Sequence, residues 1–112
     1  MGLILACKNR GLQRDLIIYD DDDAVITPTA NDVLRVKVLR ENNTAKLTVL
    51  SSGATVNGST LTKGSTNRLR IDASDMDFDA GIYTLLFDYY DSEDNSEWKC
   101  VDRHVFVVTD SD

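Results

Sequence analysis

Proline occurs once, at Pro28, histidine once, at His104, and cysteine twice, at Cys7 and Cys100. Each scarcity removes a class of protein. With one proline and six glycines the chain is no low-complexity or linker segment. Two distant cysteines are too few for a disulfide scaffold, and with one histidine they do not make up the four closely spaced ligands of a zinc site. Two buried or partly buried thiols are expected in place of a Cys7–Cys100 bridge. No apolar run approaches the roughly 18 residues of a membrane-spanning helix. No Gly-x-Ser-x-Gly elbow is present, and the glycines are spaced as turns and not as a phosphate cradle.

What is present suits one folded domain: 112 residues, 42% hydrophobic and 28% charged. The formal net charge of −7 repels a phosphate backbone and an anionic membrane surface, so neither nucleic acid nor membrane is an expected partner. An acidic surface biases the chain toward neutral or basic partners. At the start, Leu3-Ile4-Leu5-Ala6-Cys7 imitates a lipoprotein cleavage box, but no basic segment or apolar run precedes it. Gly2 imitates a myristoylation site, but that motif needs Ser or Thr where Ala6 stands. The stretch is expected to be a strand or arm.

Alternation with a period of two runs through the chain and marks half-buried strands. Leu34-Arg35-Val36-Lys37-Val38, Ala45-Lys46-Leu47-Thr48-Val49 and Arg68-Leu69-Arg70-Ile71-Asp72 all show it. Tyr83, Leu85, Phe87 and Tyr89 form one face of a longer strand, and Ile82, Leu86 and Tyr90 make its other face apolar enough for a central or doubly covered position. The last strand, Trp98 to Val108, changes parity and predicts a bulge near Asp102-Arg103. Turn residues separate these runs at Glu41-Asn42-Asn43, Ser51-Ser52-Gly53, Asn57-Gly58 and Lys63-Gly64-Ser65. Asn57-Gly58 suits a tight hairpin. The sequon-like Asn42-Asn43-Thr44 and Asn57-Gly58-Ser59 are read as turns, and Ser74 to Asp77 offers at most one helical turn. Short strands with frequent turns predict a sandwich, with a small barrel as the alternative.

Asp79-Ala80-Gly81-Ile82-Tyr83 resembles the Asp-x-Gly-x-Tyr element of immunoglobulin-like domains. The resemblance implies an all-β, immunoglobulin-like antiparallel β-sandwich of seven to nine strands. It places Tyr83 as the tyrosine that closes a corner by bonding upstream backbone, and Leu85 where antibody domains keep their second cysteine. Trp98 departs from that pattern by following the motif. More loosely, the layout from Leu16 to Val108 resembles small immunoglobulin-like virion proteins of tailed bacteriophages, through Ile26-Thr27-Pro28, Gly81-Ile82-Tyr83, the acidic Asp91 to Asp94 loop and Val105-Phe106-Val107-Val108. The expected organisation is an arm over 1–14, the sandwich over 15–109 and an acidic tail over 110–112.

The resemblance implies a virion structural protein assembled in the host cytoplasm, a capsid decoration or cement subunit. It would bind a capsid or other virion protein and form a homo-oligomer such as a trimer. A tail or baseplate adaptor of the same fold is the alternative, and a carbohydrate- or calcium-binding module the second. No enzyme activity, cofactor, catalytic residue or metal ligand is expected. Asp20-Asp21-Asp22-Asp23 reads as a solvated loop. Asp75, Asp77 and Asp79 imitate the opening of a calcium loop, but Ala80 and Leu86 stand where that motif needs Gly and Glu. His104 is read as a surface or packed strand residue. Tyr89, Tyr90 and Trp98 could bind sugar or protein beside the acidic loop, but core packing is the adopted reading. The apolar segment Gly2 to Ala6 is the preferred interface candidate, adding a strand to a neighbour's sheet or pairing within its own.

Overall fold

The computed structural model describes residues 2–19, 22–91 and 98–110. Among these residues ten strands form: β1 (Leu3–Cys7), β2 (Leu12–Leu16), β3 (Ile18–Tyr19), β4 (Val25–Ile26), β5 (Asp32–Leu39), β6 (Ala45–Leu50), β7 (Thr60–Thr62), β8 (Asn67–Ile71), β9 (Gly81–Asp91) and β10 (Lys99–Thr109). One 3₁₀ turn, Ala73–Asp75, sits where a single helical turn is predicted. The fold is all-β among the described residues. A five-stranded sheet has the order β1-β10-β9-β5-β6, a three-stranded sheet has the order β2-β8-β7, and β3 and β4 form a small hairpin.

The two larger sheets share one core. Ile4, Leu34, Val36, Val38, Val49, Leu85, Phe87, Phe106 and Val108 come from the first, and Leu16, Leu61, Leu69 and Ile71 from the second. Met76 and Phe78, from the segment linking β8 to β9, join them, with the Phe78 ring 5.4 Å from that of Tyr83 and 6.5 Å from that of Phe106. Leu85 is fully buried, so a leucine occupies the position that the resemblance gives to a cysteine.

β1 runs parallel to β10 at one edge, Leu3 opposite Val105 and Leu5 opposite Val107. The apolar arm therefore pairs within its own sheet, and β2 spans positions 14 and 15. The β10 register shifts between Cys100 and Asp102, one residue from the predicted bulge. Two turns share one geometry. Around Arg40–Thr44, the Asn43 amide donates to Arg40 O (2.8 Å) and Asn43 has φ 63°; around Thr55–Ser59, the Gly58 amide donates to Thr55 O (3.0 Å) and Gly58 has φ 96°. Asparagine and glycine tolerate this left-handed backbone. The Asn57-Gly58 turn is thus one residue longer than a two-residue hairpin, with only Gly58 at positive φ.

At the entry to β9 the Tyr83 hydroxyl donates to the carbonyl of Asp79 at 2.7 Å. Tyr83 is almost fully buried, so the bond spares both groups a dehydrated, unpaired state. Tyr83→Phe is expected to lower stability by about 1 kcal/mol. In urea unfolding the midpoint should fall with the slope unchanged.

Candidate functional site

Alternation sends every second side chain of the five-stranded sheet away from the core. On β1, β10 and β9 these form two cross-strand rows: Leu5, Val107 and Ile82, then Leu3, Val105 and Thr84. A solvated sheet face should be polar here. Instead Leu3 is 56% exposed, Leu5 65%, Ile82 73% and Val105 38%. Burying an exposed aliphatic side chain yields about 1.5–3 kcal/mol, so covering these four offers several kcal/mol to whatever binds. A depression of about 480 Å³ lined by Arg40, Glu41, Gly81, Ile82 and Tyr83 adjoins the patch. The interface candidate Gly2 to Ala6 thus divides: Ile4 and Ala6 enter the core, while Leu3 and Leu5 build the outer face.

The next row is Arg103, Leu86 and Lys37, with both cations directly opposite the leucine. Beyond it Arg35 faces Asp88 across β5 and β9. The guanidinium grips the carboxylate through both oxygens, at 2.9 and 2.5 Å, with side-chain exposures of 16% and 5%. The Trp98 ring lies over that guanidinium at 3.7 Å, and Tyr90 meets Trp98 edge-on at 4.4 Å. Stacking and bidentate pairing are both properties of arginine that lysine lacks. Core packing for Trp98 and Tyr90 is therefore corrected: they cover an ion pair on the outer face, because residue parity on β9 turns Tyr90 away from the core. Tyr89, of opposite parity, does pack against the core.

The aspartates read as imitating a calcium loop part company. Asp75 accepts hydrogen bonds from Thr55 Oγ1 (2.7 Å), Asn57 Nδ2 (2.8 Å) and Ser59 Oγ. Asp77 and Asp79 lie toward Lys8, which donates to Asp77 O (3.4 Å) and stands 3.5 Å from the Asp79 carboxylate. No group of three or more His, Cys, Asp or Glu side chains among the described residues is placed to hold a metal ion. Asp20 and Asp21, and 92–97 of the acidic loop, lie outside the described residues; Asp23 has φ 62°.

His104 is a packed strand residue. Its Nδ1 accepts from the Gly2 amide (3.2 Å), and Nε2 lies 3.1 Å from Asp102, which ties the start of β1 to β10. Both cysteines are free and exposed, which corrects the expected burial: both fall on outward positions of the five-stranded sheet. They also stand near opposite ends of β10, about 30 Å apart at strand rise, too far to bridge.

No helix among the described residues is long and apolar enough to cross a membrane. No protein-family model matches the chain, and no curated protein matches it. Sequence reasoning missed the Arg35–Asp88 pair and the Leu86 row. The alternation assigns Arg35 and Lys37 to the outward face, but the register that sets them opposite Asp88 and Leu86 is long-range.

Two outcomes follow from these polar contacts. Arg35→Met alone should cost about 3–5 kcal/mol by stranding a buried carboxylate, whereas Arg35→Met with Asp88→Leu should recover most of it. A double-mutant cycle in urea measures this. Burial pushes the Asp75 carboxyl up, but the bonds from Ser59, Asn57 and Thr55 outweigh it and hold the group below its ordinary value of 3.8. The resulting stabilisation is fully present above that pH and is lost as the pH falls through the lower folded value. Asp75→Asn should cost about 1 kcal/mol at neutral pH, after allowance for solvent screening. Its deficit relative to wild type should shrink below pH 3.8, read from unfolding at fixed ionic strength.

Proposed function

We propose that this chain is an immunoglobulin-like antiparallel β-sandwich that works by binding and not by catalysis. We place it as a virion structural protein, a capsid decoration or cement subunit, which docks through the outer face of its five-stranded sheet. The observation that carries the docking reading is the contiguous aliphatic patch of Leu3, Leu5, Ile82 and Val105 in an otherwise charged chain. Support for the fold comes from the separation of β10-β9-β5-β6 from β2-β8-β7, which parallels the division of strands in variable-type domains. The Tyr83 hydroxyl bond to upstream backbone is the corner that such domains use. Support for the virion role is the likeness of layout, together with a surface that offers contact area and no assembled chemistry among the described residues.

The reading expects a symmetric oligomer, such as a trimer, or stable attachment to a shell. A tail or baseplate adaptor would use the same face at another place on the particle. The test is native mass determination, then co-sedimentation with the capsids and tails encoded beside this gene. Wild-type protein should pellet with one of them, and Ile82→Asp should reduce binding at least 10-fold. Because Ile82 is exposed and loses mainly its cross-strand neighbour Val107, the substitution should lower folding stability by only about 1 kcal/mol. A monomer that pellets with none of these particles would refute the virion role.

A further inference from the structure

We infer that the partner on this face is a protein surface that is itself acidic, presenting aliphatic side chains beside a pair of carboxylates. The inference rests on the docking reading above and adds the chemistry of the occupant. The outward positions of β1, β10, β9 and β5 carry Arg103, Lys37 and Arg35 as cations and Asp88 as the sole carboxylate. Asp88 is spent on Arg35. Arg103 and Lys37 remain on either side of Leu86, and neither makes an ion pair with a described residue. Glu41 stands at the margin, on the β5–β6 turn beside Ile82. A chain of net charge −7 thus turns a cationic and aliphatic face outward.

The register gives the pattern dimensions. Lys37 and Arg103 are two strand spacings apart, about 10 Å, and same-face rows repeat every 7 Å or so along the strands. The fitting partner sets two carboxylates about 10 Å apart, one row beyond an apolar ridge that covers Leu3 and Val105 and two rows beyond the part that covers Leu5 and Ile82. A second copy presenting this same face brings the same cationic row toward Lys37 and Arg103, and its Glu41 stands at the Ile82 margin and not in that row. An anionic membrane is an extended charged plane that meets the whole acidic molecule as well as this face, whereas a protein patch engages the face alone.

Two labelled peptides of equal length, one alternating Leu and Glu and the other Leu and Lys, test this by fluorescence anisotropy at low and high salt. Vesicles of phosphatidylserine and phosphatidylcholine, and the native mass of the protein alone, are run alongside. Wild type should bind the Leu/Glu peptide at least 10-fold tighter than the Leu/Lys peptide, and the preference should weaken with salt. Lys37→Glu with Arg103→Glu should invert it; Lys37→Gln with Arg103→Gln, a milder change, should abolish it. Equal binding, a preference for Leu/Lys, or a preference that survives both charge variants overturns the acidic partner. If Ile82→Asp still weakens peptide binding in that case, the docking face itself stands; if Ile82→Asp leaves all binding unchanged, the docking face falls too. Vesicle binding lost in Ile82→Asp, or a dimer mass lost in it, overturns the proposal in favour of a membrane or a second copy.

Discussion

Strand β9 lies between β10 and β5, and the rest of the structure depends on the parity of its side chains. Tyr83, Leu85 and Phe87 enter the core; Ile82, Leu86 and Asp88 leave it. A slip of one residue would carry Asp88 inward and Phe87 out, so the register is strongly specified by burial alone. It is specified again by chemistry. Arg35 reaches both oxygens of Asp88 only when Val36 faces Phe87, and a displaced register would leave a nearly buried carboxylate unpaired. At the strand's entry, the Tyr83 hydroxyl bond to Asp79 fixes where alternation begins. Hydrophobic burial supplies the energy and the two polar contacts remove the alternatives.

The same parity creates the outer face. Had the outward residues been polar, that face would be an ordinary solvated sheet. Aliphatic residues instead recur on three adjacent strands, and each faces another across the ladder: Leu3 with Val105, Leu5 with Val107, Val107 with Ile82. Cross-strand neighbours of this kind stabilise pairing by no more than about 1 kcal/mol, far less than full burial would yield. Sheet stability therefore accounts for little of their exposure, which is why the proposed function assigns them to contact with another molecule. The edge position of β1 adds to this: the strand carries no charged side chain, one of the means by which proteins blunt an exposed sheet edge.

Much of the architecture was legible from alternation and turn residues. The cores of β5, β6, β8 and β9 match their predicted alternating runs, and the β10 bulge falls one residue from its expected place, because both signals are local. The Tyr83 corner was legible because glycine, tyrosine and an upstream aspartate occur at short spacing. The positions of Trp98 and Tyr90 were not. An aromatic residue beside a loop suits core and surface equally in sequence; only the pairing of Arg35 with Asp88, 53 residues apart, provides the flat cation on which Trp98 rests. The cysteines were misread for a related reason. Composition favours buried thiols, but Cys7 and Cys100 fall on outward parity, and parity overrides residue preference in a strand. The fate of Asp75 was equally hidden, since its donors arrive from a turn that lies 16 to 20 residues earlier.

Bulk charge and local charge point in opposite directions here, and in the proposed docking the local one governs. A net charge of −7 sets the field averaged over the whole molecule, which governs solubility and, out to about the Debye length of roughly 8 Å, the approach of a partner. At contact distance a partner meets the side chains of one face, and on the strands of this face Lys37 and Arg103 are the charges without an ion pair among the described residues. Leu86 lies between them, so a partner that reaches the leucine must also desolvate the margins of both cations. Only a surface that offers carboxylates there recovers that loss, whereas a basic surface adds repulsion to it. In the proposed complex the aliphatic rows supply affinity without much discrimination, and the cationic row beside them selects for an acidic surface.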